Sequence, residues 1–390
     1  MPQTVALKRA ASYPARYPDT LSMLRALKPS YPVFCVRPEV LEERARQFLA
    51  GFPGPVLYAV KCNPHPLVLG ALYEAGIRHF DTASLAEIAQ IAELFADAEC
   101  YFHHPVKSRA AIEAADKVYG VNFYTVDHAN ELEKLLEIVR RDDVVVMVRM
   151  ATPDAGATYN LSAKFGATPD QAAMMLRSVR KRGLTAGLAF HVGSQCLNPA
   201  AFSISLEVAR RVLSAGGIEI RYLDVGGGFP AAYAGVNAPP LEAYFEAIGK
   251  GLARLDLPED CTVLCEPGRA LVADAVSLVA QIQLRKDKRL YVNDGIYQSF
   301  SETVSGNFRM PARLLRLEGQ PFESETDYTI FGPTCDSLDV LTVAYPLPED
   351  AREGDWIEFG RMGAYTSAVG SHFNGFSVDT FVELEDSSWP

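Results

Sequence analysis

The chain has 390 residues, 48% of them hydrophobic, and a formal net charge of −11. That length suits two folded domains better than one, and the apolar share supplies large cores, which excludes a disordered chain. The acidic balance argues against nucleic acid or an anionic membrane as partner, since both call for an excess of Lys and Arg.

The opening "MPQTVALKRAASYPARYPDT" has basic residues but no apolar run after them, so no secretory signal is expected. Residues 8–20 and the short strand-like "YPVFCV" at 31–36 are candidates to join a later β domain. From there to about residue 267 strand-like and helix-like signals alternate. The expected strands are Val56–Val60, His79–Asp81, Glu99–His103, Val121–Val126, Val144–Met150, Leu188–Val192, Arg221–Val225 and Thr262–Glu266. Helical periodicity fills the gaps, as in "LAEIAQIAELFA" after Ser84 and "HANELEKLLEIVRR" after Asp127. The longest apolar runs, such as Val144–Val148, are too short to cross a membrane. Strands alternating with helices over this length fit a (β/α)8 barrel, with a doubly wound sheet as the alternative. Polar residues close the strands: Lys61, Asp81, His103, Arg149, His191, Asp224 and Glu266. In a barrel that is where chemistry sits.

After about residue 270 strand-like segments dominate, among them "VSLVAQIQLRK", "RLYVNDG", "DYTIFGP", "DWIEFG" and "FSVDTFVEL". They read as a separate β domain. Seven cysteines with no Cys-x-x-Cys pair give neither a zinc site nor a disulfide framework, and a reducing cytoplasm is the expected location.

Several motifs carry chemistry, each beside a plainer reading. Lys61, at the end of an apolar run, is either a lysine reaching for solvent or a desolvated Schiff-base amine. "DVGGGFP", from Asp224, is a flexible turn or a phosphate nest. In "CEPGRA", Glu266 and Arg269 form either a structural ion pair or a partner for a ring nitrogen beside a phosphate ligand. His191 in "FHVGSQ" is a packed residue or a ring that stacks on a planar cofactor, with Ser194 as a phosphate donor. Cys335 and Asp336 in "GPTCDSLD" are a small buried thiol and its neighbour, or a proton donor beside a carboxylate. Tyr365 is a phosphate ligand or a core aromatic. Together these parts are what pyridoxal phosphate requires.

"YAVKCN", "HVGS", "DVGGGFP", "EPGR", "YVNDGIYQSF", "GPTCDSLD" and "GAYTSA…FNGF" occur in this order. The set resembles the eukaryotic-type ornithine decarboxylases, pyridoxal-phosphate enzymes of the alanine-racemase fold. The resemblance implies a barrel over 37–267 and a β-sandwich or β-barrel domain from 1–36 and 268–390. It implies Lys61 as the Schiff-base lysine, Glu266 on the pyridine nitrogen and His191 on the ring. Ser194, Gly227, Gly228, Gly268, Arg269 and Tyr365 would hold the phosphate end, with Asp81 and Arg149 nearby. Cys335 would protonate the α-carbon, and Asp336 would meet the distal amine, with Phe373 beside the substrate. A homodimer with shared sites is implied, with Lys164 and Asp339 bridging subunits. The implied reaction is decarboxylation of ornithine to putrescine, in polyamine synthesis.

One departure stands out. Where the family has a Tyr-Asp pair beyond "NDGxYxSF", this chain has Ser305 and Gly306. Glu302 is the nearest carboxylate and is expected to take over the distal amine. The departure keeps lysine, diaminobutyrate, arginine and diaminopimelate open as substrates, beside a catalytically dead relative that binds a regulator.

Overall fold

The computed structural model describes residues 15–215, 217–386 and 389. The expectation for residues 8–20 therefore falls partly outside the described residues. Eight parallel strands make one sheet, in the spatial order of their sequence: Leu57–Ala59, His79–Thr82, Glu99–Phe102, Phe123–Val126, Val145–Arg149, Thr185–Ala189, Tyr222–Asp224 and Thr262–Leu264. Val56 bridges in parallel to Cys265, and the Leu57 N–H donates to the Cys265 carbonyl at 2.8 Å. The sheet thus closes on itself, which decides for the barrel over a doubly wound sheet. Leu57, Tyr101, Phe123, Val145, Met147, Ala189 and Leu264, with Tyr222, come from seven of the strands and form one cluster. Such a cluster fills the lumen, so the barrel is a packed scaffold and not a pore.

Local signals explain the helices. Ser84 accepts from the Glu87 N–H at 3.3 Å, while Glu87 Oε2 accepts from the Ala83 N–H at 2.7 Å. These bonds start the helix Leu85–Leu94, which buries Ile88 and Ile91. In the helix Ala129–Ile138, the His128 ring caps the first turn and Leu132 and Leu135 face the core.

Two strand ends differ from the sequence reading. The first strand stops at Ala59, and Val60–Cys62 forms a 3-10 turn, so Lys61 stands on a turn just past the strand. The sixth strand is Thr185–Ala189, not Leu188–Val192, which leaves His191 in the following loop. Small residues hid it. Gly187 lies mid-strand because a Cβ there would fall 2.1 Å from Met147 Sδ, and a glycine in a strand marks a close approach.

The second sheet has nine strands. Val33–Val36 lies between Val276–Lys286, antiparallel, and Thr380–Leu384, parallel. Trp356–Phe359 pairs with both Val276–Lys286 and Ala312–Leu315. Buried Arg37 reaches Glu358 at 3.2 Å and Asp386 at 2.9 Å, tying the chain entering the barrel to this sheet. Beyond Gly268 the described α-helices are only Arg269–Val272 and Ser301–Ser305. Among the described residues no helix is long and apolar enough to cross a membrane.

Candidate active site

A cavity of about 540 Å³ opens where the barrel strands end, a size that suits a small ligand. It brings together Lys61, Asp81, Arg149, His191, Ser194, Glu266, Arg269, Glu302 and Tyr365. The ends of the barrel strands deliver Lys61, Asp81, Arg149, His191, Ser194, Glu266 and Arg269 to one rim, and the second domain adds Glu302 and Tyr365.

Lys61 Nζ pairs with Asp81 Oδ2. Burial pulls the amine's proton affinity down, but Asp81, Tyr365 and Glu266 outweigh it and hold the lysine above its ordinary range. Asp81 is itself pushed up, first by burial and then by Glu266, against the pull of Lys61. The pair is therefore an ion pair between a half-buried lysine that keeps its proton and a buried carboxylate. The His191 ring is held well below the usual histidine range by burial, then by Arg149 and Lys61. Its Nδ1 accepts from the Gly193 N–H at 3.0 Å, so the ring presents a neutral flat face. Arg149 is held down by burial and stands over the Phe165 ring at 5.6 Å.

The glycine loop is built for close approach. Gly226 and Gly228 have φ of +71° and +108°, and a Cβ on Gly227 would meet the Glu266 carbonyl at 2.4 Å and His191 Nε2 at 3.1 Å. Gly268 also allows contact, but on another side: a Cβ there would lie 3.0 Å from Cys62 Cβ. Its place is to let the Glu266–Arg269 segment pack on the turn that carries Lys61. Tyr365 has φ of 53°, and its N–H donates to the Cys62 carbonyl at 2.9 Å, which sets its ring 5.0 Å from the Arg269 guanidinium carbon.

Arg269 is 3% exposed. Its Nη1 donates to Tyr233 Oη at 2.7 Å and Glu302 Oε2 at 2.6 Å; its Nη2 donates to Glu302 Oε1 at 2.9 Å and Ser194 Oγ at 3.3 Å. Nε is buried and has no partner among the described residues. Glu302 therefore does line the site, but Arg269 holds both of its oxygens, so it is not a free acid for a distal amine. That corrects the expectation from sequence. A buried donor without a partner, a loop too tight for side chains and a neutral flat ring fit pyridoxal phosphate: phosphate at Arg269, Ser194, Gly227, Gly228 and Tyr365, ring against His191.

Tyr159 was missed by the sequence reading. Its hydroxyl lies 2.9 Å from Ser305 Oγ and donates to Glu302 Oε1 at 3.2 Å. A Cβ on Gly306 would sit 2.5 Å from that hydroxyl and within 3.0 Å of the Phe308 ring. At Ser305-Gly306 the missing side chain of Gly306 leaves room for Tyr159, which comes from the strand Ala157–Tyr159. Only the glycine was visible in sequence. Tyr233, which anchors Arg269, carried no sequence signal.

Cys335, Asp336 and Phe373 do not line this cavity. They form a second group. Cys335 is exposed, and its Sγ lies 3.2 Å from Asn374 Oδ1. Asp336 accepts from the Leu338 N–H at 2.9 Å and from Tyr297 Oη at 2.5 Å, and these bonds hold its carboxyl below the usual range. The Tyr297 and Phe373 rings are 4.9 Å apart. Asp339 is only 2% exposed. Its oxygens accept from the Ile296 N–H at 2.9 Å, and from the Thr334 N–H at 3.0 Å and Oγ1 at 2.6 Å. It folds the loop from within, which argues against its reaching Lys164 of another subunit.

Residues 39–273 match the family described as pyridoxal-dependent decarboxylase, pyridoxal binding domain. The chain is 37% identical over 341 residues to the lysine/ornithine decarboxylase of Selenomonas ruminantium, covering 85% of this chain and 84% of that one. It is similar in structure to the lysine/ornithine decarboxylase of Vibrio vulnificus complexed with cadaverine, with TM-score 0.80, 32% identity and coverage of 93% and 97%. The arginine decarboxylase of Paramecium bursaria Chlorella virus, bound to agmatine, matches with TM-score 0.82, 26% identity and coverage of 93% and 98%.

Proposed function

The chain belongs to the pyridoxal-dependent decarboxylase family, and on that footing we propose that it converts L-ornithine to putrescine in polyamine synthesis. It is a pyridoxal-phosphate enzyme that decarboxylates a basic amino acid. The observation that carries the substrate reading is the Cys335–Asp336 turn. It presents an exposed thiol next to a carboxylate kept in its charged form by Leu338 and Tyr297. A distal ammonium suits that carboxylate.

Pyridoxal phosphate, when bound, supplies the electron sink that makes loss of CO2 from the α-carbon feasible. Lys61 would hold the cofactor's carbonyl carbon. Asp81 would take the proton that Nζ must lose first and return it when the amine is displaced. Glu266 would keep the ring nitrogen protonated, and His191 would cover one ring face and exclude water. Arg269, Ser194, Gly227, Gly228 and Tyr365 would hold the phosphate, with Gly268 bringing Arg269 close, and Arg149 would balance the carboxylates nearby. Cys335 and Asp336 stand outside the cavity of their own chain. They would enter the cavity of a second copy, Cys335 delivering a proton to the α-carbon and Asp336 holding the distal ammonium, with Phe373 beside it. The division of labour is then 37–267, with Gly268, Arg269 and Tyr365 added, for the cofactor, and the rest of 1–36 and 268–390 for completing the partner's site.

A longer basic side chain, that of lysine or arginine, is the second reading. Glu302 is tied to Arg269, so no carboxylate between Ser301 and Gly306 is free to fix an ammonium at ornithine's length. The test is a panel of ornithine, lysine, arginine, diaminobutyrate and diaminopimelate, scored for CO2 and for the amine formed. The highest kcat/KM for ornithine supports the proposal. A higher value for any other acid overturns ornithine, and no CO2 from any of them overturns the reaction.

A further inference from the structure

His103 follows the third barrel strand, lines the cavity, is 7% exposed, and has no role in the chemistry described so far. Its Nδ1 lies 2.5 Å from Glu266 Oε1 and 3.4 Å from Asp224 Oδ2. The first is a short hydrogen bond; the second is an ion-pair distance without hydrogen-bond alignment. Asp224 is fully buried, and its Oδ1 accepts from the Gly226 N–H at 2.7 Å. The glycine loop, Asp224, His103 and Glu266 are therefore joined in one line.

The groups facing His103 come from four strands. Asp81 stands at the end of the second, paired with Lys61. Tyr101, on its own strand, meets the ring edge-on at 5.4 Å. Asp224 and Glu266 follow from the seventh and eighth. A nitrogen that faces only carboxylate oxygens must carry the proton, since two lone pairs would repel. Burial alone would lower the ring's proton affinity, but the nearby carboxylates of Asp224 and Glu266, the second hydrogen-bonded to it, outweigh it and push His103 up to about 10. Asp81, His103 and Glu266 offer ligand-type atoms within 4.8 Å of one another, but Lys61 pairs with Asp81 and His103 with Glu266, which leaves those atoms engaged.

We propose that His103 is a positioning residue that fixes the orientation of Glu266 toward the cofactor's ring nitrogen. This rests on the reading of Glu266 as that nitrogen's partner. The test compares His103→Ala, His103→Gln and Glu266→Gln in the full-length holoenzyme, with the 15N shift of a labelled cofactor ring nitrogen as readout beside kcat and KM. His103→Ala is expected to move that shift away from its protonated value and to lower kcat by about 10- to 100-fold, the scale seen when the partner of a ligating residue is lost, while KM changes little. His103→Gln, which still donates to Glu266, is expected to recover part of both effects. An unmoved shift in His103→Ala, with Glu266→Gln shifted, overturns the inference alone. An unmoved shift in Glu266→Gln overturns the reading of Glu266 itself. If His103→Ala does not fold, 15N-histidine spectra of the unaltered chain decide, with His103→Gln identifying the signal. A proton on His103 Nδ1, shared in a hydrogen bond with Glu266, supports the inference, and an Nδ1 without a proton overturns it.

Discussion

The cavity at the barrel rim and the Cys335–Asp336 turn are opposites in construction. Around the cavity the main charged groups are held by one another: Lys61 by Asp81, Arg269 by Glu302 and Tyr233, His103 by Glu266. The turn instead leaves a thiol and a carboxylate in solvent, beside Phe373 and Leu338 at 42% and 67% exposure. A preorganised half can position a cofactor, because its groups need not reorganise. An exposed half can work only when something covers it, and exposed apolar side chains beside functional groups mark a surface that meets a partner. The difference fits the proposal that the chain carries two half-sites, with the thiol of Cys335 offered to the cavity of a second copy.

Breaking the first half should have the largest effect. Lys61→Ala should lower turnover by at least about 10³-fold, as expected for loss of a covalent catalytic residue. Cofactor should still bind through Arg269 and the glycine loop, without the visible absorbance of the lysine adduct. Retained activity would remove Lys61 from its role. Breaking the second half comes next. Cys335→Ala should cost about 10²-fold, in the range for a positioned proton donor. It should also release some aldehyde, because the proton then lands on the wrong carbon. A product analysis showing amine only, at an unchanged rate, would argue against Cys335 as the donor.

Two substitutions sharpen the comparison inside the cavity. Glu302→Gln removes half of a buried ion pair and leaves the Arg269 charge less compensated, which typically costs about 3–5 kcal/mol of stability. It should weaken cofactor retention while leaving the preference between ornithine and lysine unchanged. A changed preference would return Glu302 to the substrate pocket. Gly306→Ala is expected to be milder. Its Cβ would press on Tyr159 and Phe308, an overpacking that costs roughly 1–3 kcal/mol. A thermal melt at the unaltered midpoint would show that Tyr159 moves aside freely.

Sequence made the barrel and its rim legible for a physical reason: strand periodicity and strand-terminal polar residues are local. The sixth strand slipped because Gly187 looks like a loop residue until Met147 is placed against it. The pairings of Arg269 with Glu302 and of Tyr159 with Ser305 join elements separated in the chain, and nothing in local spacing encodes them. His103 was visible as a strand-end residue, but its role needed the distances to Asp224 and Glu266.

The two-half account is tested most directly by mixing Lys61→Ala chains with Cys335→Ala chains after dissociation and reassociation. If each active site takes its lysine from one copy and its thiol from another, half of the randomly paired dimers hold one intact site of two. Activity should then return to about a quarter of the unaltered enzyme's, as statistics require for a symmetric dimer. Activity no greater than the average of the two separate variants would contradict the shared site.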